Sequence, residues 1–379
     1  ADSTAGGLWR RWTGIEPAGW GSPTPTALKA AAPTRRADTS AGERTDRVRA
    51  PTTRVGRHDR GRPSIRSVTG GAGEVILVTD TVWEARGAEL TRVAPGAEFV
   101  ILGEARVAEE DVDRLTTAFY SADAWPERTA ALMGPVVHAG NLRWLHTFSA
   151  GLDHPVFSRL TDRGVRVTNS PGAAAPAIAQ SVIAHLLTLV RGLDQFARDR
   201  LDRRWTQIVS DDPADLRLGI IGLGSIGCEV ALLAAAIGME VVGLRRRPTG
   251  DEPCETWPSD RLSELLARSE VVVMCAPLSD ETRGMLGAAE LASMPRGSYL
   301  INVGRGETVD EPALIDAIRS GHLAGAALDV FAVEPLPTDS PLWDLEQVII
   351  TPHCSGATHR SARRAEDLFL HLLAQTTAS

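Results

Sequence analysis

Three short segments of this 379-residue chain gather side chains suited to acid–base and electrostatic chemistry. Arg305 stands between two glycines in Asn302-Val303-Gly304-Arg305-Gly306. Glu334 precedes a proline in Leu328-Asp329-Val330-Phe331-Ala332-Val333-Glu334-Pro335, and His353 follows one in Thr351-Pro352-His353-Cys354-Ser355-Gly356. An arginine offers a planar, permanently charged fork that suits a carboxylate or a carbonyl oxygen. A histidine titrates near neutrality and can give or take a proton. A glutamate hydrogen-bonded to that histidine favours the imidazolium and raises its pKa. Each segment follows a strand-like apolar run, which places it at a C-terminal strand end, where ligands lie in open α/β sheets. Other histidines, such as His138, His146 and His185, fit surface or satisfied core roles.

A fourth segment, Gly222-Leu223-Gly224-Ser225-Ile226-Gly227, is a GxGxxG between the strand Leu218–Gly222 and the apolar helix Cys228–Ile237. That context makes it a dinucleotide-binding turn. Gly222 permits the tight turn, Gly224 lets the backbone approach a pyrophosphate, and Gly227 lets helix and strand pack closely. The helix N-terminus supplies unpaired N–H groups and partial positive charge for the phosphates. An acidic residue is expected about 20 residues on, at the end of the next strand, to hold the ribose 2′-hydroxyl. The chain reads Val242-Gly243-Leu244-Arg245-Arg246-Arg247 instead. Guanidinium groups grip a 2′-phosphate that a carboxylate would repel, so NADP is expected over NAD, with Arg245 and Arg246 as the contacts.

The elements that must position these residues can be read from the hydrophobic pattern. Short β-rich runs fall at Glu74–Thr79, Glu98–Leu102, Thr117–Tyr120, Trp144–Phe148 and Val165–Thr168, with helical stretches such as Glu109–Leu115 and Glu127–Val137 between them. A long amphipathic helix over about Pro176–Arg198 follows. Its apolar residues Ile178, Val182, Ile183, Leu186, Leu187 and Val190 recur at intervals of three and four. Six buried-type strands come next, at Arg217–Gly222, Glu240–Leu244, Val271–Ala276, Tyr299–Val303, Ala326–Val330 and Val348–Thr351, and a helix over about Ser361–Ala374 closes the chain. Strands alternating with helices mean βαβ units and parallel sheets. The expected fold is α/β, with two doubly wound parallel-sheet domains: a flavodoxin-like substrate domain at 74–172 and a Rossmann nucleotide-binding domain at 173–352. Residues 353–379 are expected to return to the first domain. Asp310-Glu311-Pro312 reads as a helix start, with an acidic N-cap and proline in the first turn.

Charge separates the N-terminal region from the rest. Residues 1–73 carry 13 basic and 6 acidic side chains with only seven Leu, Ile or Val, so they cannot bury enough apolar surface and are expected to be a disordered basic tail. The body from residue 74 is net acidic, which speaks against nucleic acid as a partner. The tail's arginine excess is weak evidence for targeting or for a nucleic-acid arm, because Lys29 is the only lysine and the whole chain prefers arginine. No apolar run of about 18 residues exists to suggest a membrane span. Cys228, Cys254, Cys275 and Cys354 form no CxxC pair, so reduced thiols in a cytoplasmic protein are expected and no metal site is.

Taken in order, SAGLDH at 149–154, TNSPG at 168–172, GLGSIG at 222–227, CAPLSDETRG at 275–284 and the three segments above resemble the D-isomer-specific 2-hydroxyacid dehydrogenase family over about residues 74–379. The resemblance is strongest to its glyoxylate/hydroxypyruvate reductase-like branch. It implies reduction of a small 2-keto acid to the D-2-hydroxy acid with NADPH or NADH, by a homodimer. Arg305 would bind substrate, His353 would be the acid/base and Glu334 would orient it, with the amides of Ala150 and Gly151 holding the carboxylate. It also implies that Ser225, Ile226, Ala276, Pro277, Thr282, Val303 and Gly304 line the cofactor with the motif glycines. Asp329 has two readings, a contact to the nicotinamide side or a strand-end cap. Two departures stand out: Arg245 where the cofactor acid is usual, and Ala179-Gln180-Ser181 where many relatives carry Ala-Glu. A dinucleotide-sensing corepressor-like protein is the rival of another class, which the full Arg305, Glu334 and His353 set argues against. Phosphoglycerate, formate and phosphite dehydrogenases are rivals within the family. The end of the chain soon after the last helix speaks against the longer phosphoglycerate enzymes, and Glu334 against the formate enzymes. Substrate choice is expected to rest on Tyr120–Trp125 and Gly151–His154.

Overall fold

Alternating apolar strands and amphipathic helices build two all-parallel sheets in the computed structural model, which describes residues 73–377. The expected tail over 1–73 therefore lies, but for Gly73, outside the described residues.

The first sheet holds β1 (Val75–Thr79), β2 (Glu98–Leu102), β3 (Thr117–Tyr120), β4 (Trp144–Thr147) and β5 (Arg166–Thr168), in the order β2-β1-β3-β4-β5. This is the flavodoxin-like order. β1, β3 and β4 are buried along their whole length, as strands covered on both faces must be, while the edge strand β2 alternates. Helices α1 (Asp80–Val93), α2 (Glu109–Val112), α3 (Thr129–His138) and α4 (Pro155–Asp162) connect the strands. Thr79 caps α1 by accepting from the Val82 amide, and His154 caps α4.

The expected 176–198 helix is broken. It forms as α5 (Ala175–Arg191) and α6 (Leu193–Leu201), because Gly192 adopts φ +61 and ends the first segment with a left-handed turn. The apolar face of α5 packs on the second sheet through Val182, Leu186 and Val190, so its hydrophobicity is that of a core helix. Among the described residues no single helix is long and apolar enough to cross a membrane.

The second sheet has seven strands rather than six. β6 (Arg217–Ile221), β7 (Glu240–Leu244), β8 (Glu255–Trp257), β9 (Val271–Met274), β10 (Ser298–Asn302), β11 (Leu323–Leu328) and β12 (Val348–Ile350) lie in the order β12-β11-β10-β9-β6-β7-β8. That is the dinucleotide-binding order with one strand more at the far edge. That further edge strand is β12, while the strand not expected from the sequence is β8, whose three residues are too few to show a period and bury only Trp257. Helices α7 (Ser225–Ala236), α8 (Leu262–Arg268), α9 (Ala288–Ser293) and α10 (Glu311–Arg319) cover the faces. Asp310 caps α10 as expected, accepting from the Ala313 amide.

The last helix, α11 (His359–Thr377), returns to the first sheet. Phe369 stacks on Phe119 with ring centroids 4.6 Å apart and lies 5.4 Å from the Trp144 ring. Beside them, buried Arg86 on α1 pairs with Glu366 and Asp367 of α11 and with Glu89 of its own helix. Removing one member of such a set strands a charge, so the pairing also fixes the register of α11 on α1. Phe369→Ala is expected to cost about 3–5 kcal/mol, as the loss of a fully buried aromatic ring does. Chemical denaturation followed by tryptophan fluorescence measures it.

Candidate active site

The GxGxxG turn joins β6 to α7. Gly222 takes φ +100, and a Cβ there would fall 2.7 Å from the Ala276 amide nitrogen, so the turn rests directly on the end of β9. The amides of Gly222 and Leu223 both donate to the Leu244 carbonyl, which pins the turn to β7. A Cβ on Gly227 would meet the Gly222 carbonyl at 2.3 Å, so only glycine allows α7 to start this close to the strand. Gly224, by contrast, has open space where a Cβ would stand. Ser225 and Ile226 open α7, whose first-turn N–H groups lack partners within the helix. A closely packed turn, an open Gly224 face and free helix N–H groups together fit a dinucleotide pyrophosphate.

The rest of the expected cofactor set lies on neighbouring strand ends. Ala276 and Pro277 follow β9, and Thr282 staples that loop by donating to the Pro277 carbonyl at 2.7 Å and accepting from the Ser279 amide at 2.8 Å. Val303 and Gly304 follow β10, where the Val303 amide donates to the Met274 carbonyl and the Gly304 amide to the Asn302 side chain. Arg245 and Arg246 stand just past β7, and they differ. Arg246 is exposed, whereas Arg245 Nη1 donates to Glu252 Oε1 at 2.8 Å. Glu252 also accepts from the Thr249 and Gly250 amides, and the hydrogen bonds from Thr249 lead in lowering its pKa to about 2. The sequence did not single out this acid, which lies seven residues beyond Arg245 in a polar loop.

Arg305 reaches the site because its neighbours have no side chains. A Cβ on Gly306 would lie 1.9 Å from the Phe331 carbonyl carbon, and one on Gly304 would lie 2.8 Å from the Ala276 carbonyl oxygen. Glu334 follows β11 and accepts from the Phe331 amide through Oε1 at 3.0 Å, which turns Oε2 toward His353 Nδ1 at 2.8 Å. Nδ1 is therefore occupied, and Nε2 is the nitrogen free for a ligand. The hydrogen bond that His353 Nδ1–H donates to Glu334 is the largest influence on the histidine. With the charges of Glu334 and Asp329 it raises the pKa of the imidazole, against opposing effects of partial burial and of Arg305.

Asp329 is buried and holds the loop that carries His353. Its Oδ1 accepts from Thr351 Oγ1 at 2.6 Å and from the Cys354 amide at 3.0 Å, and both oxygens accept from the Ser355 amide. Its carbonyl accepts from the His353 amide at 2.8 Å. These contacts describe a strand-end cap. They hold His353 at φ +49, a left-handed conformation uncommon outside glycine.

The SAGLDH loop follows β4 and leans on the TNSPG loop after β5. Ser170 N donates to the Ser149 carbonyl at 3.0 Å, Asn169 Nδ2 to the Ala150 carbonyl, and Ser149 Oγ to the Gly151 carbonyl at 2.9 Å. Buried His146 braces the base, bonded to Thr168 and Ser170 through its two ring nitrogens, and burial drops its pKa to about 4. It is a satisfied core histidine. The amides of Ala150 and Gly151 donate to no acceptor among the described residues, leaving both available to an anion. Asp153, which the sequence offered only as part of the Gly151–His154 segment, forms a two-pronged ion pair with Arg305, Oδ2 to Nε and Oδ1 to Nη2, both at 2.9 Å.

Residues 183–355 match the family "D-isomer specific 2-hydroxyacid dehydrogenase, NAD binding domain". A glyoxylate reductase from Korarchaeum cryptofilum is 35% identical over 240 residues, 61% of this chain and 71% of that enzyme. A D-3-phosphoglycerate dehydrogenase from Escherichia coli is 37% identical over 223 residues, 56% of this chain and 53% of that enzyme. The crystal structure of a D-isomer specific 2-hydroxyacid dehydrogenase from Xanthobacter autotrophicus Py2, in complex with NADPH and MES, superposes with a TM-score of 0.67 at 32% identity. That match covers 81% of this chain and 96% of the other.

Asp329→Ala would leave the Thr351, Cys354 and Ser355 donors without their acceptor. The expected loss is about 1–3 kcal/mol of stability, the cost of leaving the buried Ser355 amide unpaired. Turnover should fall more than about tenfold as His353 loses its placement. Chemical denaturation and steady-state rates on the same preparation measure the two effects.

Proposed function

Because the chain belongs to the D-isomer specific 2-hydroxyacid dehydrogenase family, we propose that it reduces a small 2-keto acid such as glyoxylate or hydroxypyruvate to the D-2-hydroxy acid, using NADPH in preference to NADH. The observation that carries the reading is the arrangement of the Glu334–His353 pair and Arg305 on the strand ends beside the open GxGxxG turn.

In this reading the five-stranded unit, about 74–172 with the returning 353–379 segment, supplies the substrate loop. The seven-stranded unit, about 173–352, holds the dinucleotide, whose nicotinamide supplies the hydride when bound. The free amides of Ala150 and Gly151 hold the substrate carboxylate, and Arg305 polarises the carbonyl as negative charge builds on its oxygen. His353 Nε2 gives the proton that completes the hydroxyl, while Glu334 on Nδ1 fixes the tautomer and stabilises the imidazolium beforehand. Gly222, Gly224, Ser225, Ile226 and Gly227 cradle the pyrophosphate. Ala276, Pro277, Thr282, Val303 and Gly304 line the approach to the nicotinamide. Asp329 acts through the His353 loop.

The NADP preference is supported by the absence of an acid at position 245 and by exposed Arg246. With Arg245 engaged by Glu252, Arg246 carries more of the 2′-phosphate contact. A homodimer is supported by the exposed apolar side chains of Leu193, Phe196, Leu201, Trp205, Ile208 and Val209 on α6 and the segment after it, which a second copy would cover. A cytoplasmic setting is supported by four free cysteines.

With NADPH and a panel of 2-keto acids, the protein should oxidise NADPH, and His353→Ala should lower kcat by at least about a hundredfold, the range of positioned acid catalysis. Near-full turnover by that variant contradicts the assigned acid. The raised pKa of His353 sets the sign of the pH dependence. Reduction uses the imidazolium, so kcat/KM is high below that pKa and falls as pH climbs through it. Oxidation of the hydroxy acid rises over the same range. Glu334→Gln removes the carboxylate that raises the pKa, and the falling limb for reduction should move to lower pH.

A further inference from the structure

The pair between Asp153 and Arg305 joins the loop after β4 of one sheet to the loop after β10 of the other, at the centre of the site. A guanidinium has five N–H donors in one plane. Asp153 takes the side edge, one N–H from Nε and one from Nη2, and the Gly304 carbonyl takes one from Nη1 at 2.8 Å. Two donors remain, one on each terminal nitrogen, with no acceptor among the described residues. The two terminal nitrogens bound the end edge of the fork, the other of its two-pronged faces.

A second observation shows that the local backbone accommodates this pair. A Cβ on Gly151 would stand 2.0 Å from Arg305 Nη2 and 2.4 Å from Asp153 Oδ1. The ion pair therefore lies flat against the Gly151 backbone, in space that any side chain would fill. Gly151 and Asp153 act as one unit, since the glycine leaves the room and the aspartate fills it with the arginine. The loop is held from behind by Ser170 and Asn169, so Asp153 is a fixed partner. For Asp153, burial pushes the pKa up, and the hydrogen bond and charge of Arg305 outweigh it and leave the carboxyl below its usual range.

We propose that Asp153 is the positioning residue of Arg305, holding the side edge of the guanidinium so that its end edge meets the oxygens of the 2-keto acid. The inference rests on the reductase reading above. Asp153 also cancels one positive charge, so with His353 in the imidazolium form that reduction uses, the two cations Arg305 and His353 face Glu334, Asp153 and Asp329 and the set carries no net positive charge before the substrate carboxylate arrives. Productive binding then depends on where the donors point rather than on net positive charge. A carboxylate that merely occupied the fork until substrate arrived would have the opposite consequence, because its removal would free the fork and strengthen substrate binding.

The test compares wild type with Asp153→Asn and Asp153→Ala, using NADPH and the best 2-keto acid of the panel. NADPH binding by fluorescence titration and thermal unfolding serve as controls for folding. In both variants kcat/KM should fall by about tenfold to a hundredfold, the effect of losing a charge-assisted pair, while NADPH binding is unchanged. Added acetate, which fits the vacated space in Asp153→Ala, should restore part of the rate, and it should do nothing for Asp153→Asn. A general structural role would predict neither the acetate rescue nor intact NADPH binding. An unchanged kcat/KM, or a lower KM at unchanged kcat, overturns the proposal in favour of a spectator or a competitor. Loss of NADPH binding or of folding in both variants overturns it in favour of a purely structural aspartate. Wild-type protein inert toward every 2-keto acid overturns the reductase reading and this inference with it.

Discussion

The site depends on the chain turning back on itself at His353 immediately beyond β12. A residue with a side chain at φ +49 is costly, on the order of 1–3 kcal/mol, and persists only where the surroundings over-determine it. Here they do. Asp329, at the end of the neighbouring β11, binds the loop on both sides of the histidine and accepts the His353 amide as well. Glu334, five residues further along the same connection, then takes Nδ1. One strand end thus fixes both the backbone and the ring of the histidine.

The same economy extends across the sheet. Parallel strands with right-handed crossovers bring every C-terminal end to one edge, and in this order β6 and β9 are neighbours. The turn after β6 can therefore rest on Ala276 after β9, and the loop after β10 can pass between Ala276 and Phe331. Gly222, Gly304 and Gly306 make these approaches possible, since each meets backbone where a Cβ would be. The first sheet contributes a single loop, stiffened from below by His146 and the TNSPG segment. Its meeting point with the second sheet is the Asp153–Arg305 pair.

Much of this could be read in the sequence because the elements have strong periods and the motifs sit at strand ends. The five strands of the first sheet and six of the second stand where apolar runs placed them. β8 escaped because three residues carry no period, and the break at Gly192 escaped because a glycine within an amphipathic pattern does not declare its φ. The residues that act through others were harder to find. Asp329 was visible only as a carboxylate with two readings, and its capping contacts could not be seen without knowing that the 351–355 amides turn back toward it. Asp153 and Glu252 each answer an arginine across space, and for Asp153 the partner is 152 residues away. Such pairings depend on how loops from different strands meet, which no local pattern encodes.

Glu334 raises the pKa of the His353 imidazole, and NMR titration of the His353 ring tests that directly. With ring-labelled histidine and Glu334→Gln for comparison, His353 should titrate above the ordinary histidine value of about 6.5 and should drop toward or below that value in the variant. A wild-type His353 that titrates at or below the ordinary value, or one that Glu334→Gln leaves unmoved, contradicts the account.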